Sequence, residues 1–154
     1  CGLTQRTFQT CTAAGCHGSE GAARSATVTA QMRIASLVDE LDRTLQKINP
    51  TWRTCRSATV ANTTPQRYGN CPNTLAGQPS PFNWAVGDPM NTARGAAFNY
   101  DMGVRTTAGV GTTAVIHNPL LIEALLISTI QQVRKDYNVT AGVQVDLTPQ
   151  FGQQ

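Results

Sequence analysis

Charge is scarce in this 154-residue sequence: Asp, Glu, Lys and Arg together make up 14% of it. The basic residues are scattered singly, so the formal net charge of +3 comes without a basic run. That excludes the clustered electrostatic footprint of a nucleic-acid-binding chain. No run of about 18 apolar residues is present, so no membrane-spanning helix is expected. Histidine is rarer still, with His17 and His117 alone. Two histidines, without a second cysteine pair at ligand spacing, give little material for a zinc site. Aromatic residues are only 6%, but a hydrophobic content of 40% suffices for one moderate core. A single domain spanning 1–154 follows from that length.

Against these shortages stands the stretch from Thr10 to Gly21, TCTAAGCHGSEG. Cys11 and Cys16 lie five apart, with His17 directly after the second. In covalent haem attachment two thiols add across the porphyrin vinyl groups and the adjoining histidine becomes an axial ligand, which dictates this order. The spacer departs from the usual two residues, since Cys11 and Cys16 enclose four. The reading is one haem c held by Cys11 and Cys16, with His17 on the iron.

The remaining cysteines are Cys1, Cys55 and Cys71. Cys55 and Cys71 bracket 15 residues and are expected to pair as a disulfide, with two disulfides and a free thiol as the competing assignment. The segment between Asn49 and Pro89 holds six of the eight prolines and little periodicity, so it needs such a restraint. A chain that starts Cys1-Gly2 resembles a bacterial lipoprotein acylated on its first cysteine; the alternative is a fragment that happens to begin there. Haem attachment and a disulfide both suit an exported protein, on the periplasmic or extracellular side, tied to a membrane surface through Cys1.

The fold class expected is mainly α: a small helical haem domain with a long stapled loop over 49–89 and little or no β structure. Residues 1–10 are expected to form an N-terminal arm. The stripe Ile34, Leu37, Val38, Leu41, Leu45 and Ile48 predicts a helix from Ser25 to Ile48, ended by Asn49-Pro50, with Glu40 and Asp42 on its polar face. A second helix is expected from Met90 to Met102, followed by a flexible turn from Gly103 to Gly111. Asn118 as cap and Pro119 as first residue predict a third helix to about Tyr137. Its apolar residues cover most of the circumference, which implies burial all round. Trp52, Phe82 and Trp84 are expected as satellite core, and Val143, Val145 and Leu147 as a short strand.

His117, just outside that third helix, is the expected second axial ligand, with Met32, Met90 and Met102 as rivals. Gly95–Tyr100 (GAAFNY), then IHNP at 116–119 and LLIEALLIST at 120–129, resemble the C-terminal region of bacterial multihaem c-type cytochromes. In that family the histidine of the His-Asn-Pro motif is an axial ligand, so the resemblance implies this role for His117. It spans residues 90–130 and, weakly, the haem motif. Family members carry several haems, whereas this chain has one attachment motif, so His117 could bind the haem of its own chain or of a neighbour.

The function expected is single-electron transfer by a monohaem cytochrome with bis-histidine ligation. With both axial positions filled, no enzymatic activity is expected. Redox partner proteins, other cytochromes or a membrane redox complex are the implied partners, with homo- or hetero-oligomers open. The alternatives are a haem-based ligand sensor with a displaceable sixth ligand, and a haem-stabilised docking subunit of a larger redox complex or filament.

Overall fold

The spine of the molecule is one long helix, α1 (Glu20–Ile48), in a computed structural model that describes residues 18–61, 63–74, 76–107, 118–140 and 145–151. It starts earlier than the apolar stripe alone predicts, because a polar cap lies upstream. Ser19 is extended and its hydroxyl accepts from the Ala22 N–H at 3.1 Å, while Glu20 pairs with Arg24 one turn on at 2.7 Å. The helix stops at Asn49, as the Asn-Pro pair predicts, with the Asn49 N–H still bonded to the Leu45 carbonyl.

Behind it come α2 (Trp52–Cys55), β1 (Thr59–Val60), β2 (Arg67–Tyr68), β3 (Trp84–Ala85), α3 (Thr92–Thr107) and α4 (Pro119–Asp136). The fold is mainly helical, with one small antiparallel sheet of strand order β1-β2-β3. Every member of the predicted α1 stripe is buried, from Ile34 to Ile48, and meets Ala93, Ala96 and Ala97 of α3 and Leu126, Ile130 and Val133 of α4. Each large side chain so buried contributes roughly 1.5–3 kcal/mol.

Helix directions follow from paired side chains. Thr92 bonds to Asp136 and Asn99 to Thr129, so α3 runs antiparallel to α4. Arg33 meets Glu123 and Glu40 meets Arg134, so α1 and α4 run the same way. The starts of α1 and α4 therefore open toward one pole of the bundle, and the start of α3 toward the other.

Other expectations are corrected as well. Gly103 lies within α3, which continues to Thr107, and its lack of a side chain serves close helix packing. A Cβ there would sit 2.5 Å from Val38 Cγ2. On α4, Leu120 and Leu121 are half exposed, because only one side of that helix is covered by α1 and α3. Residues 145–151 form no strand although Val145 and Leu147 alternate; side chains of the bundle hold this segment. Val143 is outside the described residues.

The loop over 49–89 is restrained as its length requires. Cys55 and Cys71 form a disulfide with Cα atoms 4.7 Å apart. Asn83 clamps Cys71 from both sides, accepting its N–H and donating to its carbonyl at 2.8 Å each. Asn49 donates to the Pro72 carbonyl at 2.9 Å. Trp52 and Phe82 are part of the main core, not a satellite, stacked with centroids 5.7 Å apart; only Trp84 stays at the surface.

Candidate functional site

Cys1, Cys11, Cys16, His17 and His117 lie outside the described residues, as does any contact they make. The structure instead describes the two frames that carry the histidines. His17 is followed by Gly18, at φ +65°, a left-handed backbone that favours glycine, and then by the Ser19 cap of α1. His117 is followed by Asn118, whose side chain accepts from the Leu121 N–H at 3.1 Å, and by Pro119 as first helical residue of α4.

Because α1 and α4 are parallel, both frames belong to the same pole. Pairing of Arg33 with Glu123 puts Asn118 roughly level with Val28, so α1 extends about 13 Å further, at 1.5 Å per residue, to Ser19. This half of α1 and the first turn of α4 leave Val28, Met32, Leu120 and Leu121 exposed by 49–69%, apolar surface that a covering group would remove from water. The starts of α1 and α4 thus lie toward one pole of the bundle, with α1 reaching further, and each leaves apolar side chains in water.

The rival methionines are separated by the same geometry. Met90 precedes the start of α3 at the opposite pole, a full α4 length of about 27 Å from Asn118. Met32 stands exposed on the Asn118 side, and Met102 packs partly against the core. Among the described residues, no group of three or more His, Cys, Asp or Glu side chains is placed to hold a metal ion. No described helix is long and apolar enough to cross a membrane.

The sequence pattern misses a set of buried ion pairs. Glu40, on the presumed polar face of α1, is 1% exposed and accepts from Arg43 and Arg134. Asp42 accepts from Trp52 Nε1 at 3.1 Å and Arg53 Nε at 2.7 Å. That bond to Asp42 holds the Arg53 guanidinium above its already high ordinary pKa. Tyr100 packs edge-on against Trp52 at 5.0 Å, and burial pushes its hydroxyl pKa up. The signal available for Asp42 was Trp52 and Arg53, ten and eleven residues on, just past the helix stop.

Comparison with protein-family models, curated proteins and solved structures gave no match to this chain.

Proposed function

We propose that this protein is an exported monohaem c-type cytochrome that passes single electrons, with Cys11 and Cys16 holding haem c covalently and His17 and His117 as axial ligands. The observation that carries the reading is the shared pole. Two helices a hundred residues apart in sequence start immediately after the only two histidines and run in parallel, so their starts open at one end of the bundle. Bound there, haem would supply a one-electron couple.

The chain's own contribution is positional. Ser19 and Asn118 satisfy the free N–H groups of the first turns, fixing the helix starts next to each histidine. Exposed Val28, Met32, Leu120 and Leu121 would exclude water from the porphyrin. Filled axial positions leave no place for a substrate, so no enzymatic step is assigned. An oxidising compartment agrees with the Cys55–Cys71 disulfide, and acylation of Cys1 would add a membrane anchor. Redox partner proteins are the implied partners.

The test is haem staining after denaturing electrophoresis, followed by absorption and magnetic resonance spectra of the wild type and His117→Ala. Retained haem and a low-spin signal lost in the variant are expected. Absence of covalent haem overturns the reading. An unchanged spectrum in the variant transfers the sixth position to a methionine, and rapid carbon monoxide uptake by the ferrous wild type favours a sensor.

A further inference from the structure

At the opposite pole, β3 and α3 enclose a groove that the haem reading does not use. Phe82, Trp84, Met90, Ala97 and Phe98 line it, with Arg56, Arg94 and Asp101 at its polar margin, around a cavity of about 200 Å³. Drug-sized ligands occupy roughly 300–1,000 Å³, so this cavity is on the scale of one large side chain. Met90 and Phe98 are exposed by 68% and 66%, and nearby Val86 by 54%. Trp84 is held rigidly, stacked on Tyr68 at 4.4 Å with the Arg94 guanidinium 4.3 Å over its ring. A base or sugar seeking to stack there meets partners already in place.

Charge selects among the occupants that remain. The charged residues that line the groove are Arg56 and Arg94 against Asp101, a net charge of +1. Arg53 and Arg56 are neutralised by Asp42 and Asp101 at 2.6 Å each. Among the described residues no carboxylate is paired with Arg67 or with Arg94, whose guanidinium donates to the Pro89 carbonyl at 3.0 Å. Trp, Phe, Met and Arg together are the residues enriched at the cores of protein interfaces, with Trp and Arg leading among energetic hot spots.

We propose that this groove docks a partner protein segment that inserts one apolar side chain between Met90, Phe98 and Trp84 and sets a neighbouring carboxylate on Arg94. The docking is independent of haem. Its distance from the histidine-bearing pole makes it an assembly contact, not the point of electron exchange.

Isothermal titration calorimetry with an acetylated, amidated hexapeptide, Glu-Asp-Leu-Phe-Asp-Glu, tests this on the full chain. Saturable one-to-one binding is expected, weakened at least about tenfold when the acidic residues become Lys, when Phe becomes Ser, or in Phe98→Ser and Arg94→Gln. Circular dichroism reports whether those exposed-site variants keep the fold, and a Met90→Ser variant provides an independent lesion. Absence of saturable binding, binding indifferent to peptide charge, or full affinity in all three variants overturns the proposal. Phe98-dependent flotation with phosphatidylcholine–phosphatidylserine vesicles, without peptide binding, also overturns it and makes the face a lipid surface.

Discussion

Arg33 donates to Glu123 across α1 and α4 at 2.7 Å, with the two side chains 6% and 1% exposed. The same carboxylate accepts the N–H groups of Gln150 at 3.0 Å and Phe151 at 2.9 Å, and Arg33 donates to the Thr148 carbonyl at 2.9 Å. One buried pair thus fixes the register of two helices and ties the C-terminal segment to the pole where α4 starts. Removing one partner leaves the other charge buried and unpaired. Arg33→Ala or Glu123→Ala should therefore cost about 3–5 kcal/mol, whereas an apolar replacement of both should cost far less. Urea unfolding of the single and double variants measures the difference. Limited proteolysis should cut near residues 145–151 sooner in Glu123→Ala.

The disulfide carries the loop. Cys55 and Cys71 are 16 apart in sequence, and closing a loop of that size removes about 3 kcal/mol of unfolded-state entropy in the chain-entropy model. The Cys55→Ser, Cys71→Ser double variant should lose stability by about that amount while keeping its helical circular dichroism, since Trp52 and Phe82 remain packed. Equal stability of the two proteins in chemical denaturation would show the loop to be held by the Asn49 and Asn83 clamps alone.

Gly103 offers a sharper test of packing. A Cβ placed on it meets Val38 Cγ2 at 2.5 Å, with the Leu126 methyls 3.6 and 3.8 Å away. Gly103→Ala should destabilise by about 1–3 kcal/mol through overpacking, despite the better helix propensity of alanine. Val38→Ala on its own opens a gap, yet combined with Gly103→Ala it should recover part of the loss. A double-mutant cycle by thermal unfolding reads that coupling.

How much of this was legible depends on which force placed each residue. The α1 stripe and the Asn118-Pro119 start follow from periodicity and capping, which are local, and the structure keeps them. The mainly helical class was legible for the same reason. Gly103 was not, since a glycine that ends a helix and one that lets two helices approach look alike until the partner, Val38, is known. Glu40 and Glu123 were hidden because a charged residue reads as solvent-facing unless its counter-charge is in view; Arg134 and Arg33 lie 94 and 90 residues away. The pairing of both histidine-bearing helix starts at one pole needed the parallel arrangement of α1 and α4, a tertiary fact. The groove at Trp84 was invisible since its walls, β3 and α3, meet only on folding.

Alkaline pH probes the Tyr100 environment. Burial raises the hydroxyl pKa above its ordinary value near 10, with Asp42 adding to the effect and Arg53 opposing it. A group whose folded pKa is raised contributes stability that is complete below the unfolded value and is lost as pH rises through the folded one. Unfolding free energy should thus fall as pH is raised from about 10 upward. Tyr100→Phe should make that fall shallower, leaving the share of Tyr137, whose hydroxyl is also raised by burial. Matched slopes in the wild type and the variant would place the alkaline transition elsewhere.

The methionines give the last discrimination, because the bundle places them at different levels. Met90 sits at the pole where α3 starts, beside Arg94 and Phe98, whereas Met32 lies toward the pole of Asn118 and Met102 near the middle of the bundle, level with Leu126. A ligand must reach the iron through a few ångströms, and about 27 Å of α4 separates the two ends. If His17 and His117 hold the iron of their own chain, Met90→Leu should leave the haem spectrum and potential unchanged. Met32→Leu should also leave the ligand set intact, shifting the potential only through the polarity around the porphyrin. Loss of a methionine-type signal in Met102→Leu, with His117→Ala silent, would instead assign the sixth position to Met102, and the higher potential that methionine ligation brings would accompany it.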